Sequence, residues 1–170
     1  MASADLLIDA FDRVQKIVHA ATRDASRDVL NYRADPEANT IGWLVWHLTR
    51  VQDDHLADAF DQPQLWIEDG WATRFGLPFD DAATGYGQTQ DEVAAVNADA
   101  GLLRDYHDAV HDRSVALLGA VTQSDLDRVV DTSWDPPVTL AVRLVSVIAD
   151  DLQHAGQASY VRGLATRAGL

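Results

Sequence analysis

Cysteine is absent from this 170-residue chain, which excludes disulfides, zinc-thiolate sites and a cysteine nucleophile. Any metal must therefore be held by histidine, aspartate or glutamate. Positive charge is scarce as well: 13 lysines and arginines stand against 27 acids, for a net charge of -14. Such a surface repels phosphate backbones and anionic lipid, so neither nucleic acid nor a bare membrane is an expected partner. Lys16 is the only lysine among many arginines, alanines and aspartates, a bias expected of a high-GC actinobacterial genome. No apolar run reaches the length of a membrane span. The opening stretch MASADLLIDAFDRVQKIV carries acids too early for a signal or transit peptide, and a cytoplasmic location is expected.

What is present is helical periodicity. With 47% hydrophobic residues the chain can bury one core, and residues 1–170 are read as a single domain. Leu6, Leu7, Ala10, Phe11, Val14, Ile17 and Val18 recur at threes and fours, predicting a first helix from Asp5 to Ala21. After the turn-rich NYRADPEANT, Asn39 or Thr40 offers a cap for a second helix, TIGWLVWHLTRVQDDHLADAF. From Asp61 to Gly87 the period fails, in a stretch rich in glycine, proline and aromatics that reads as a functional or crossover loop. A capping box at Thr89–Glu92 opens a short helix, and a third long helix is predicted over 98–121. The last long helix is predicted from Val138 to Thr166, with Pro136 and Pro137 where a helix can start. Four amphipathic helices without alternating strands predict an all-α four-helix bundle.

The last helix puts polar residues on its apolar line: Leu140, Val147, Asp150, His154, Gln157, Val161 and Leu164 are separated by threes, fours and sevens. Burying a carboxylate is costly unless it is paired or coordinates a cation, so Asp150 and His154, one turn apart, need a shared partner. In the second helix His47 stands on the line Thr40, Leu44, Val51, Asp54, again where an apolar residue is expected. Facing helices lie about 8–10 Å apart, which brings His47, Asp150 and His154 within reach of one metal ion. Two histidines and a carboxylate with open positions suit catalytic zinc or non-haem iron, with Gln157 as an orienting partner for Asp150 or a metal-bound water.

Plainer readings exist. Asp150 and His154 can form an ordinary intrahelical ion pair, with His47 hydrogen-bonded separately in the core. His107 and His111, also four apart, form a rival pair, but the surrounding RDYHDAVHDR predicts a solvated flank. Asp53, Asp54 and His55 read as surface residues and His19 as structural. Trp43 and Trp46 flank His47, and the aromatics from Trp66 to Tyr86 either cover a substrate or anchor the loop. Arg50, Arg143 and Arg162 are candidates to receive a substrate carboxylate.

Two stretches resemble a known family. NTIGWLVWHLTRVQDDHL, residues 39–56, resembles the second-helix signature of the DinB/YfiT-like superfamily, in which a histidine follows a glycine- and aromatic-rich run. DDLQHAGQASYVRG resembles its last-helix signature, in which histidine precedes a Gly-Gln pair and another ligand lies four residues earlier. The resemblance implies up-down-down-up topology, a long crossover between helices two and three, and a divalent metal, zinc first and nickel second, on His47, Asp150 and His154. Asp150 departs from the pattern: many members have histidine there, and the mycothiol-dependent maleylpyruvate isomerase branch has glutamate. The implied activity is transfer of a low-molecular-weight thiol such as mycothiol to a small-molecule electrophile, or isomerisation through a thiol adduct. The alternatives are a metal-binding or metal-free bundle without turnover, and a metal-assisted hydrolase. Apolar helix faces in such bundles often pair subunits, so a homodimer is expected.

Overall fold

Four long helices organise the computed structural model, which describes residues 3–170. They are α1 (Ser3–Thr22), α3 (Ile41–Ala59), α7 (Ala100–Leu118) and α8 (Leu140–Arg167). Short helices α2 (Arg27–Leu30), α4 (Leu65–Glu68), α5 (Trp71–Phe75) and α6 (Gln90–Ala95) lie in the connections, and strands β1 (Val129–Asp131) and β2 (Val138–Thr139) pair antiparallel ahead of α8. Each long helix after the first starts at a polar cap: Thr40 accepts from Trp43 N–H, Asp99 from Leu102 N–H, and Thr139 from Val142 N–H. The capping box of α6 forms as the sequence predicts.

Packing fixes the topology. One apolar cluster joins Phe11 of α1, Leu56 and Ala59 of α3, Leu118 of α7, and Leu140 and Leu144 of α8. The other joins Val18 and Ala21, Ile41 and Leu44, Leu103 and Tyr106, and Ala158 and Val161. The start of α1 thus shares an end of the bundle with the ends of α3 and α7 and the start of α8, which is up-down-down-up. α8 packs between α1 and α3, and α7 packs against the same two from the opposite side. Only a long connection can join α3 to the parallel α7, which accounts for the loss of period after Asp61.

Several residues sit elsewhere than the sequence predicts. The last helix begins at Leu140 rather than Val138, because Val138 and Thr139 pair with β1 and the two prolines precede that strand. The third helix stops at Leu118, short of Val121. The buried line of α8 runs through Leu144, Val147, Asp151, Ala155, Ala158 and Val161, so Asp151 is the fully buried aspartate while Asp150, His154 and Gln157 sit on its shoulder. The expected and observed lines share Leu140, Val147 and Val161 and part between the last two, where Asp151, Ala155 and Ala158 are buried in place of Asp150, His154 and Gln157. Burial raises the Asp151 carboxyl well above the usual range, with the Asp150 charge adding to the effect. Asp53 is buried rather than on the surface: its carboxylate accepts from Leu65 N–H, Trp66 N–H and Tyr106 Oη–H at 3.0, 2.8 and 2.9 Å, capping α4.

His107 and His111 are also buried, not solvated. His111 Nε2 meets Asp12 at 2.8 Å and His19 Nε2 meets Asp108 at 2.6 Å, joining α7 to α1. Neither ring nitrogen of His107 has a partner among the described residues, and burial drives its pKa from 6.5 to about 3. The folded state therefore holds this imidazole neutral, whereas the unfolded chain protonates it near 6.5. Its contribution to stability is intact above 6.5 and is lost as pH falls toward 3. A fall of about 2 kcal/mol between pH 7 and pH 5 is expected from this group. Urea unfolding at the two values should show that slope flattened in His107→Leu, and an unchanged slope would refute the assignment.

Candidate metal centre

α3 and α8 form the most extensive helix pair, and their contact carries the site. His47 on α3 is 3% exposed, and Asp150 and His154 face it from α8. One ligand atom from each of the three lies within 4.8 Å of the others. The two imidazoles meet edge to face, centroids 4.7 Å apart. Of the two alternatives left open by spacing alone, the structure shows parts of both: His154 Nε2 is 3.6 Å from Asp150 Oδ1, and His47 is not separate but joins the same cluster.

Hydrogen bonds set the tautomers. His47 Nδ1–H donates to the Thr84 carbonyl of the crossover, and His154 Nδ1–H donates to Gln157 Oε1 at 2.9 Å. Each bond leaves Nε2 as the ring's free donor atom, the arrangement metal-bound histidines commonly adopt. Gln157 was expected beside Asp150 or a water; its amide instead orients His154. Burial lowers the His47 pKa, only partly offset by the Thr84 bond, so the ring is neutral and able to ligate. Burial alone would raise Asp150, but His154 and the neighbouring imidazoles outweigh it and hold the carboxyl below its usual value. Asp150 in turn raises His154. Asp150 Oδ2 is buried and has no hydrogen-bond partner among the described residues. An orphaned carboxylate oxygen next to two oriented imidazoles fits a divalent cation, since such an oxygen is costly to bury without one.

Aromatic rings enclose the cluster. Trp43 stacks on His47 at 4.6 Å and 15°, held by a 2.7 Å bond from Nε1–H to Gln88 Oε1. Tyr86 meets the His47 ring at 5.5 Å and 87°. Trp46 points away, into the core with Trp66 and Phe79. The loop aromatics thus divide: Trp66, Trp71 and Phe75 anchor the crossover around Tyr106, and Tyr86 alone stands at the site.

Arginines divide similarly. Arg50 is fully buried: Nε–H and the terminal N–H groups donate to the Ala83 carbonyl, Gln64 Oε1 and the Asp81 carbonyl at 3.2, 2.9 and 3.4 Å. It fastens the crossover beside Thr84 and is not available to a substrate. Arg162 donates to the Ala21 carbonyl at 2.8 Å. Arg143, bonded to Asp131 at 2.7 Å and His55 Nδ1 at 3.2 Å, lines a groove of about 910 Å³ with Asp54, Asp58, Tyr86 and Ser146. Tyr86, which touches His47, and Ser146, one turn before Asp150, join that groove to the histidine cluster.

A family model for mycothiol S-transferases matches residues 6–166. The chain belongs to the mycothiol S-transferase family, within the DinB/YfiT-like group. The crystal structure of a conserved protein from Enterococcus faecalis is similar, with 31% identity and a TM-score of 0.88 over 95% of this chain and 96% of that one. No functionally curated relative matches.

One contact of this S-transferase family member escapes any spacing argument. Gly85 has φ +111, and a Cβ there would lie 2.5 Å from His47 Nδ1. The GYG stretch is its only sequence trace, a glycine where backbone must pass close to a side chain. Gly85→Ala is expected to push Thr84 off His47 and, through loss of that orienting bond, weaken metal binding by about 10–100-fold. Competition with a chromogenic chelator measures this, and unchanged affinity would show that the Thr84 bond does not matter.

Proposed function

We propose that this protein transfers a low-molecular-weight thiol, mycothiol in the first instance, to small electrophiles at a divalent-metal site made by His47, Asp150 and His154. The observation that carries the reading is the pair of imidazoles from facing helices, each with Nδ1 engaged and Nε2 free, beside an unpartnered Asp150 oxygen. A divalent cation held there supplies Lewis acidity that favours the thiolate form of a thiol at neutral pH. The absence of cysteine is consistent with this, since the thiol arrives with the substrate.

The chain's own part is placement. Thr84 and Gln157 fix the two imidazole planes, and Trp43 covers one face of His47 and limits water there. The groove offers Arg143, Asp54 and Asp58 as hydrogen-bonding groups for a hydroxyl-rich thiol, and the Tyr86 ring stands between groove and histidines. Zinc is the first candidate for the ion and nickel the second, since imidazole and carboxylate suit both.

The test incubates zinc- or nickel-loaded protein with mycothiol and monobromobimane and follows adduct formation. Faster adduct formation than in protein-free controls, lost on chelation and restored by metal, is the expected result. Consumption of an ester substrate without thiol would mean a hydrolase instead, with Asp54 the carboxylate to examine. Metal-loaded protein inert toward a panel of thiols and electrophiles would leave a metal-binding bundle without turnover.

A further inference from the structure

A second groove lies on the far side of the histidine cluster. α3 and α8 run antiparallel, so residues taken backwards along one and forwards along the other follow a single furrow. At one end Asp58 and Asp54 of α3 line the large groove with Arg143 and Ser146 of α8. His47 comes next, with Asp150 and His154. Beyond them Leu44 lies with Gln157, Tyr160 and Val161 in a smaller groove of about 340 Å³. The cluster therefore stands between two recesses, each within about two helical turns of it.

The recesses differ in chemistry. The large one sets Asp54, Asp58 and Asp131 against Arg143, whereas the small one is walled by Ala34, Ala38, Leu44, Tyr160 and Val161, with Glu37 its one charged side chain. Tyr160 is 66% exposed, and its ring packs on no other ring among the described residues. Gln157 joins this wall to the cluster. Its Oε1 accepts from His154 Nδ1–H at 2.9 Å, while its amide N–H groups have no partner among the described residues.

We propose that the small groove is the seat of the electrophile, and that the molecules it takes are uncharged and carry an apolar ring system with an oxygen acceptor at one edge. The inference rests on the thiol-transfer reading: a reaction of two molecules needs a place for each, and the large polar groove serves the thiol alone. Size selects the occupant, since about 340 Å³ is at the lower end of small-molecule sites and suits one or two rings. Charge selects it too. Glu37 repels an anion, and an unpaired charge set against Ala34, Leu44 and Val161 is costly to desolvate. Tyr160 offers a ring face for stacking, and the free Gln157 N–H groups donate to the oxygen, which holds that edge beside His154. Gln157 thus orients His154 through its oxygen and the electrophile through its nitrogen. With a bromoalkyl electrophile the sulfur–carbon bond forms as the carbon–bromine bond breaks, bromide leaves with the bonding pair, and the thiol proton passes to solvent.

Binding and kinetics on the zinc-loaded, full-length protein provide the test. Tetramethylbimane, the bromine-free and unreactive counterpart of monobromobimane, is expected to bind in the absence of thiol, as read by its fluorescence anisotropy. Ala38→Phe fills the groove from the loop before α3 and is expected to weaken that binding at least tenfold, on the order of what a misfitted pocket costs. Tyr160→Ala, at an exposed helix position that tolerates alanine, is expected to weaken it about threefold to tenfold. Asp58→Asn in the large groove is expected to leave it unchanged. In the transfer assay Ala38→Phe and Tyr160→Ala should raise KM for monobromobimane and keep KM for mycothiol within about twofold, with metal content and circular dichroism as in the parent. Tetramethylbimane that does not bind, or that binds both variants as well as the parent, would overturn the proposal. A rise in KM for mycothiol in place of monobromobimane would overturn it as well. Binding that depends on Ala38 and Tyr160 in a protein without thiol transfer would uphold the groove and its ligand class and overturn the transfer reading alone.

Discussion

His47→Ala is expected to remove metal and thiol transfer together while the bundle stays folded. His47 is the one member of the cluster contributed by α3, so without it the site retains two groups on a single turn of α8. Loss of a partner that merely orients a ligand costs about 10–100-fold in affinity, and loss of the ligand itself should cost more than a hundredfold. Elemental analysis by plasma mass spectrometry on tag-free protein is the direct readout: near-stoichiometric metal in the parent, little in His47→Ala and in Asp150→Ala. Undiminished metal in both variants would place any ion elsewhere and end the three-residue assignment. Circular dichroism guards against a trivial loss through unfolding, since none of His47, Asp150 and His154 belongs to either hydrophobic cluster.

Arg50→Met carries the largest expected effect on stability. Arg50 makes no contact with the candidate ligands, yet it lies wholly inside the protein, 3.7 Å from the buried Asp53 carboxylate and 4.9 Å from the centre of the Trp66 ring. Removing one partner from a buried ionic pair strands the other charge, at about 3–5 kcal/mol. For a chain of this size that lowers the melting temperature by about 10 °C or more. The crossover also loses its ties at Asp81 and Ala83, so limited proteolysis should cut near residues 80–84 before the bundle unfolds. A variant as stable and as protease-resistant as the parent would show that the pair contributes little.

The bundle and the three clustered side chains are legible in the sequence because both rest on periodicity. A histidine on an apolar line is visible in one dimension, and so is a carboxylate four residues before another histidine. Rotation of α8 about its axis was less legible: consecutive aspartates at 150 and 151 allow two phases, and tertiary packing selects the one that buries Asp151. Charge density misled in the third helix, where His107 and His111 lie among aspartates in sequence but turn inward toward α1. Asp53 escaped because its partners are backbone N–H groups twelve and thirteen residues further on, which no spacing rule connects to it. The carbonyl of Thr84 was invisible for a related reason. Backbone atoms carry no residue identity, and only the folded crossover brings this one to His47.

That contact makes the segment between His47 and Thr84, thirty-seven positions apart, a thermodynamic circuit. An ion bound at Nε2 would draw electron density from the ring, acidify the proton on Nδ1 and strengthen its bond to the carbonyl, so occupancy of the site would tighten the loop. Reciprocity then follows: whatever factor metal adds to the ordering of this segment, ordering of the segment adds to metal affinity. A groove ligand that braces Tyr86 would act on the ion without touching it, and chelation would be felt as loosening at Thr84, before any change in the helices themselves.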